Sequence, residues 1–249
     1  MNILVTNDDG ILAPGIGLLG EAAASVGAVT VVAPDREQSG TSHSLTLHRP
    51  LRPVRRPDGA FQVDGTPTDC VMLSIQALMP ERPDLVVSGV NHGPNMGEDV
   101  LYSGTVSAAM EAVILGVPGV AISFAGHSVD TMLTYRDLLG QLLRRIAAVK
   151  EFPKATLLNV NLPPVPAPQV KGVRVTRLGS RFFSQSLTQM KDPWGREIFW
   201  IGGGTITWTS EGEADHVAIA DGYISVTPLH LDLTDYELLE AVRGWELAP

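Results

Sequence analysis

Two adjacent carboxylates directly follow the first apolar run of the sequence. Residues 3–9 read ILVTNDD, so Asp8 and Asp9 stand just past a predicted strand. Two carboxylates held about 4 Å apart, at an effective dielectric near 20, repel by roughly 4 kcal/mol. One carboxylate suffices to cap a helix. The pair therefore indicates a bound cation that offsets the repulsion.

Two more polar, glycine-containing segments follow predicted strands. PDREQSGTSHS contains Ser39, and SGVNHGPNMGEDVLYSGT contains Asn91. Ligands of open parallel sheets bind outside the carboxyl ends of the strands, so both residues are expected beside the aspartate pair. Taken alone, either one would be an ordinary turn former or helix cap.

These side chains supply only oxygen ligands. Carboxylate, hydroxyl and amide oxygens, without His or Cys, suit Mg²⁺ or Mn²⁺ better than zinc or copper. We predict one divalent cation, Mg²⁺ or Mn²⁺, per subunit, with the ligands Asp8, Asp9, Ser39 and Asn91. Such an ion neutralises phosphate charge and activates water. The two aspartates are therefore also the predicted catalytic residues, and a covalent aspartyl-phosphate on either one is an open alternative.

Phosphate also needs hydrogen-bond donors. YSGTVSAAMEA starts a predicted helix with small residues, which leaves its first N–H groups accessible to an anion, and QSGTS would form a second anion-binding turn. The predicted phosphate contacts are Ser39, Gly40, Asn95, Ser103, Gly104 and Thr105, with Asn7 as a further candidate for holding ligands. Ser103 and Thr105 would equally serve as ordinary N-caps.

The elements that position these residues alternate between strands and helices. Short Val- and Leu-rich runs are typical of parallel strands covered on both faces, and helical patterns separate them. Thr66, Pro67 and Asp69 form a helix-start signal of the capping-box type, and residues 131–150 are predicted to form one long amphipathic helix. The alternation predicts an α/β fold with a mainly parallel sheet of about five strands.

The sequence changes character after Pro163. PPVPAP is a Pro-rich connection, and the strand-like pieces VRVTRL, EIFWI and YISVTPL follow it, with one late helix pattern from Asp235. We predict an α/β core over residues 1–164 that contains the metal and phosphate site. Residues 165–249 are predicted to form a hairpin-rich C-terminal extension and terminal helix within the same structural unit, used in oligomerisation.

Composition limits the functional classes. The 249 residues carry a formal net charge of -9, which disfavours a nucleic-acid polymer as partner but allows a small anion bound through a cation. Cys70, the single cysteine, cannot form an internal disulfide. No signal peptide and no apolar stretch of about 20 residues is visible. These features predict a cytoplasmic protein with a small-molecule substrate and no membrane association.

Two rival functions remain open. GIGLLG, with Gly15, Gly17 and Gly20, matches the glycine pattern of dinucleotide-binding folds, and Asp35 stands where the ribose-binding acid would be. An NAD-dependent oxidoreductase is therefore one rival, although eight residues separate the first strand from Gly15. A non-catalytic nucleotide-binding module is the other. His43 and His92 flank the motif loops and are candidates for a general acid or a phosphate contact, although a single loop histidine more often has neither role.

Six sequence stretches, spread over almost the whole chain, carry a family resemblance. They are ILVTNDDGILAPGI, VVAPDREQSGTSHSLTL, GTPTDCV, VVSGVNHGPNMGEDVLYSGTVSAAMEA, LLNVNLP and GYISVTPLHLDLT. In this order they resemble the successive motifs of the SurE family, the stationary-phase survival proteins that are metal-dependent nucleotidases.

The resemblance carries several expectations. It implies a Rossmann-like three-layer fold and a divalent metal on the four oxygen-bearing residues identified above. It implies a phosphomonoesterase that hydrolyses nucleoside 5'- or 3'-monophosphates to nucleoside and phosphate, and in some cases short polyphosphate. It also implies that the late hairpins swap between subunits, which gives a homodimer or homotetramer.

Overall fold

A computed structural model describes residues 1–184, 187–202 and 204–245. The strands are β1 (Asn2–Thr6), β2 (Ala28–Pro34), β3 (Pro53–Arg55), β4 (Phe61–Val63), β5 (Leu85–His92), β6 (Gly119–Phe124), β7 (Thr156–Leu162), β8 (Val173–Val175), β9 (Arg181–Ser184), β10 (Leu187–Lys191), β11 (Glu197–Ile201), β12 (Thr205–Trp208) and β13 (Ile224–His230). The helices are α1 (Pro14–Ala24), α2 (Pro67–Leu73), α3 (Gly104–Ile114), α4 (Val129–Leu133), α5 (Arg136–Ala147), α6 (Asp215–Ala220) and α7 (Tyr236–Arg243).

Nine of these strands form one sheet, in the order β3-β4-β2-β1-β5-β6-β7-β13-β8. The five strands from β2 to β7 in this order run parallel to one another. The carboxyl ends of β1, β2 and β5 consequently lie at the same edge of the sheet, and each is followed by a segment with predicted site residues. The α/β class and the mainly parallel sheet are confirmed.

Helices cover both faces of the sheet. Successive residues of a strand point to opposite faces, and in β1 the side chains of Ile3 and Val5 join one hydrophobic cluster whereas Leu4 joins another. The first cluster includes residues of α1, α4 and α5, and the second includes residues of α2 and α3. This two-sided burial explains the nearly continuous apolar sequence of the central strands.

Two predictions about the elements were wrong in extent. The main sheet has nine strands rather than about five, because short edge strands and β13 extend the parallel centre. The predicted helix over residues 131–150 is divided into α4 and α5 at Thr134 and Tyr135. Tyr135 is fully buried, and its hydroxyl lies 2.8 Å from the carbonyl oxygens of Pro163 and Val165, so the break between the helices anchors the segment after β7.

The start of α2 agrees with the sequence signal. Thr66 is the N-cap, and its hydroxyl accepts a hydrogen bond from the Asp69 N–H. The Asp69 carboxylate in turn accepts a hydrogen bond from the Thr66 N–H, and Pro67 occupies the first turn. Cys70 lies in the core between this helix and the sheet.

Part of the segment after residue 164 joins the main sheet, and another part forms separate pairs of strands. β13 pairs antiparallel with β7 and parallel with β8, whereas β9–β12 and β10–β11 form two separate antiparallel pairs. Residues 185, 186, 203 and 246–249 of the predicted extension lie outside the described ranges. None of the helices in the described ranges combines the length and apolarity needed to cross a membrane.

Candidate metal and phosphate site

Asp8 is a buried carboxylate that lies between β1 and the start of α3. Its side chain is 4% exposed, and the Thr105 hydroxyl donates a hydrogen bond to its Oδ1. Burial is the main reason that the pKa of Asp8 is raised to about 6; the neighbouring Asp9 raises the pKa further, and the Thr105 hydrogen bond opposes the rise. The folded protein therefore disfavours the charged form of Asp8.

Gly104 brings the amino end of α3 against this carboxylate. A Cβ atom at Gly104 would lie 2.8 Å from Asp8 Cβ and 3.0 Å from Asp8 Oδ2. The helix starts at this residue, with Ser103 Oγ accepting a hydrogen bond from the Val106 N–H. The positive end of the helix dipole thus meets the acidic pair, and this end is also suited to bind an anion.

Asp9 contacts the end of β5. Its Oδ2 accepts a hydrogen bond of 2.9 Å from the His92 N–H. The adjacent Asn91 donates its Nδ2 hydrogen to the Gly93 carbonyl over 2.8 Å, so its Oδ1 is the atom that remains to act as a ligand. Burial raises the pKa of Asp9, with a further contribution from Glu37.

The segment after β2 brings Ser39 toward the aspartates. The Gln38 N–H donates a hydrogen bond of 2.7 Å to the Asp8 carbonyl, and the exposed Ser39 hydroxyl donates one of 2.7 Å to Glu37 Oε1. Gly40 has a φ of +72°, and no atom lies within 4 Å of the position that a Cβ would occupy. Gly40 therefore forms an open turn beside the candidate site.

Asn95 is engaged by the protein itself. Its Nδ2 donates to Ser123 Oγ over 2.8 Å, and its N–H donates to Asn161 Oδ1 over 2.9 Å. Its carbonyl accepts hydrogen bonds from the side chains of Asn159 and Asn161. Asn95 thus fixes the segment between β5 and α3 to the ends of β6 and β7.

Asn7 adds a buried polar atom next to Asp8. Its Nδ2 donates to the Gly10 carbonyl over 2.9 Å, whereas its buried Oδ1 has no hydrogen-bond partner among the described residues. Buried polar atoms are normally satisfied, so this oxygen is suited to a bound ligand.

The donor set fits a hard divalent cation. Within the described ranges, no three His, Cys, Asp or Glu side chains form a group that could hold a metal. Two aspartates, an asparagine and a serine from three strand ends would instead offer oxygen ligands of the kind that Mg²⁺ and Mn²⁺ prefer. The buried Asp8 carboxylate and the buried Asn7 oxygen are both groups that a cation or a polar ligand would stabilise.

Sequence reasoning missed two buried carboxylates around the site. Asp215 is fully buried, and it accepts hydrogen bonds of 2.9 Å from the N–H groups of Gly97 and Gly179. Glu111 on α3 is also buried and pairs with His43. Glu111 could have been singled out in the sequence, because it is one acidic residue among apolar and small neighbours of a predicted helix. The sequence around Asp215 does not indicate its role, because the Gly97 and Gly179 N–H groups that it binds are distant in the chain.

The glycine pattern of the rival function lies within α1. A Cβ at Gly15 would lie 2.0 Å from the Val90 carbonyl oxygen, so this glycine allows α1 to pack closely on β5. Gly17 and Gly20 follow inside the same helix, not in a turn that leaves β1. Asp35 forms an ion pair of 3.6 Å with Arg36. Close helix packing therefore explains Gly15, whereas Gly17 faces open space and Gly20 makes only ordinary contact with Val31.

Comparisons with known proteins agree with this fold. The family model "Survival protein SurE" matches residues 3–185. A protein of Gemmatimonas aurantiaca named 5'-nucleotidase SurE is 59% identical, with all of both chains covered, and one of Geobacter sulfurreducens with the same name is 48% identical over all of this chain and 95% of its own. The crystal structure of the SurE protein from Aquifex aeolicus superposes with a TM-score of 0.85, at 41% identity and 98% coverage of both chains. The chain belongs to the SurE family.

Proposed function

We propose that this protein is a divalent-metal-dependent phosphomonoesterase that hydrolyses nucleoside 5'- or 3'-monophosphates to nucleoside and phosphate. The observation that carries the proposal is the buried Asp8, whose side chain packs against Gly104 at the start of α3 and is next in sequence to a second carboxylate, Asp9. The names of the relatives, 5'-nucleotidase SurE, support the substrate class. Short polyphosphate is a second proposed substrate, supported only by the family resemblance.

The residues that would hold the cation are Asp8, Asp9, Ser39 and Asn91. When bound, Mg²⁺ or Mn²⁺ would neutralise phosphate charge and lower the pKa of water enough for attack at neutral pH. We propose one such ion per subunit. Support comes from the oxygen-only donor set and from the raised pKa of both aspartates.

The protein's own groups would orient the phosphate. The first N–H groups of α3, at Ser103 and Gly104, would bind the phosphate, because α3 begins beside Asp8 and helix amino ends stabilise anions. The open turn at Gly40 offers backbone donors from the opposite loop. Thr105 has a different role, because its hydroxyl is bonded to Asp8 and therefore orients the carboxylate.

Phosphate release from a panel of nucleoside monophosphates tests the proposal. Chelation should abolish turnover, and Mg²⁺ or Mn²⁺ should restore it. Asp9→Asn should remove most of the activity and most of the rise in melting temperature that the metal causes, because a ligand that binds only the folded state stabilises it. His48→Gln, at an exposed position, is the matched control.

Two results would contradict the proposal. Full turnover of a folded Asp9→Asn protein in the presence of chelator would show that the acidic pair does not hold a catalytic ion. Tight nucleotide binding without any turnover, over the whole panel and with both metals, would instead indicate a non-catalytic binding module.

We also propose that the protein acts as a homodimer or homotetramer through residues 165–249. Support comes from the β10–β11 pair, whose apolar side chains are exposed on both strands, including Trp200 and Ile201. Exchange of hairpins between subunits would cover them. A cytoplasmic location is proposed as well, and the lone buried Cys70 supports it because reducing compartments disfavour disulfides.

A further inference from the structure

The segment that carries Ser39 and Gly40 is a long connection without regular secondary structure. β2 ends at Pro34 and β3 begins at Pro53, and the residues between them form turns, bends and irregular backbone. A loop of this length has many accessible conformations. The position of a ligand residue on it therefore depends on contacts that tie the loop to the rigid elements.

The upstream half of the loop is tied near Asp8, and the downstream half is tied to α2. The Thr66 hydroxyl donates to the Ser44 carbonyl over 2.8 Å, and Asp69 accepts hydrogen bonds from the N–H and hydroxyl of Thr46. The capping box of α2 thus has a second use, since it also holds the loop.

The middle of the loop is tied to α3. The Ser42 N–H donates to the Tyr102 carbonyl over 3.2 Å, and His43 Nε2 lies 2.8 Å from Glu111 Oε2. The Glu111 side chain is 5% exposed, whereas that of His43 is 30% exposed. Burial of a carboxylate without a partner costs free energy. The bond between Glu111 and His43 reduces this cost and therefore keeps His43 against the helix.

We propose that His43 is a positioning residue for the reaction. Its bond to Glu111 holds the loop so that Ser39 and Gly40 face Asp8 and the start of α3. This inference rests on the proposed function, because it assigns those two residues to the metal and the phosphate. The same helix then fixes both sides of the site: its first turn contacts Asp8, and its Glu111 holds the opposite loop.

The position of Glu111 argues for a role in orientation and against proton transfer by His43. Glu111 lies seven residues after Gly104, which is about 10 Å further along the helix axis. Nε2 of His43 is bonded to this carboxylate. The ring nitrogen is consequently bonded to a residue in the later part of α3, whereas the phosphate is proposed to bind at the first turn.

Two substitutions at position 43 separate these roles. The amide nitrogen of Gln lies close to the place of histidine Nε2, whereas that of Asn lies close to Nδ1. His43→Gln should therefore keep the bond to Glu111, and His43→Asn should lose it. His48→Gln, an exposed histidine of the same loop, is the control. Glu111→Gln should behave like His43→Asn, because a neutral amide is a weaker acceptor than a carboxylate.

Three measurements report the outcome: amide hydrogen exchange of residues 37–46 in metal-free protein, Mn²⁺ affinity by calorimetry, and the steady-state constants. For His43→Asn we expect faster exchange and losses of roughly tenfold or more in Mn²⁺ affinity and in kcat/KM, mainly through KM, as for loss of a charge-assisted hydrogen bond. His43→Gln should stay within a few-fold of wild type. The double variant His43→Asn with Glu111→Gln should be little worse than either single variant.

Other results would overturn the inference. If Gln and Asn at position 43 lower kcat equally while loop exchange and Mn²⁺ affinity stay unchanged, His43 transfers a proton and does not position the loop. If His43→Asn equals wild type in all three measurements, the bond to Glu111 has no effect on the site. Absence of nucleotide turnover in the wild type would count against the proposed function alone, since hydrogen exchange tests the loop without substrate.

Discussion

Asp8 shows how one side chain can be unfavourable for the folded protein and useful to its site. Burial withdraws the carboxylate from water, and Asp9 adds a like charge nearby; both raise the pKa of Asp8 to about 6. The Thr105 hydroxyl offsets only part of this. Metal-free protein should therefore be less stable when Asp8 is ionised, and a bound cation should reverse the effect.

The pH dependence of unfolding tests this environment in the presence of chelator. Between the ordinary pKa of 3.8 and the folded value of about 6, the folded state keeps a proton that the unfolded state has released. The contribution of Asp8 to the free energy of unfolding should thus fall by a total on the order of 2 to 3 kcal/mol as the pH rises from about 4 to 6. It should stay at this lower value at higher pH.

Urea unfolding of wild type and Asp8→Asn at several pH values isolates this contribution. Other carboxylates, such as Asp64, have a lowered pKa and change stability in the opposite direction, so only the difference between the two proteins is informative. We expect wild type to lose stability relative to Asp8→Asn as the pH rises. Parallel curves for the two proteins would show that Asp8 titrates normally.

Thr105→Val tests the hydrogen bond to Asp8 at nearly constant side-chain shape. Loss of the hydroxyl should raise the pKa of Asp8 above about 6, because this bond favours the ionised form. Mn²⁺ affinity should therefore fall severalfold near pH 6.5, and the loss should shrink near pH 8.5. Thr105→Ser retains the hydroxyl and serves as the control. A loss that does not depend on pH would contradict the explanation.

At the scale of elements, the site depends on close packing of helices against the sheet. α1 lies so near β5 that the Val90 carbonyl oxygen would be 2.0 Å from a Cβ at Gly15, whereas Gly17 of the same helix faces open space. The residue after Val90 is Asn91, a proposed metal ligand. The packing of α1 thus determines where this part of β5 lies.

Two alanine substitutions in α1 give a matched test. Gly15→Ala should destabilise the protein by about 1 to 3 kcal/mol and weaken Mn²⁺ binding, because α1 or β5 must shift. Gly17→Ala should leave stability unchanged or raise it by up to about 1 kcal/mol, since alanine favours the helix. Urea unfolding and metal titration measure both. Equal effects of the two substitutions would contradict the packing interpretation of the glycine motif.

At the scale of the whole molecule, the β10–β11 pair exposes several large apolar side chains. Trp200 is 66% exposed and Ile201 is 87% exposed, and the neighbouring strand adds Leu187 and Met190. A two-stranded pair with apolar residues on both faces is marginally stable in isolation. Such an exposed surface is typical of a contact with another protein chain.

Charge on this surface should weaken the proposed assembly. Trp200→Lys should lower the molar mass measured by light scattering, either at all concentrations or increasingly with dilution. The reason is that burial of an unpaired charge in the contact costs free energy. Val149→Lys, an exposed position outside the extension, should leave the mass unchanged. A monomeric wild type, or an assembly insensitive to Trp200→Lys, would count against the proposal.

Local sequence signals predicted what depends on neighbours along the chain. The apolar runs of β1 and β5, the capping box at Thr66 and the N-cap at Ser103 all act within a few residues, and each is found in the structure. The adjacent pair of Asp8 and Asp9 indicated a cation for the same reason, since their repulsion follows from adjacency alone. The parallel order of the sheet then implied that the three strand-end segments meet.

Only the tertiary structure decided the contacts between residues far apart in the chain. Thr105 bonds to Asp8, His43 to Glu111, and Asp215 to the Gly97 amide, across separations of 97, 68 and 118 residues. No local pattern specifies such partners, because each depends on how helices and loops pack on the sheet. The sequence alone therefore determined the central strands and the residue types of the candidate site. Packing decided the edge strands of the sheet, the division between α4 and α5, the groups that hold the site residues in place and the effect of burial on their pKa.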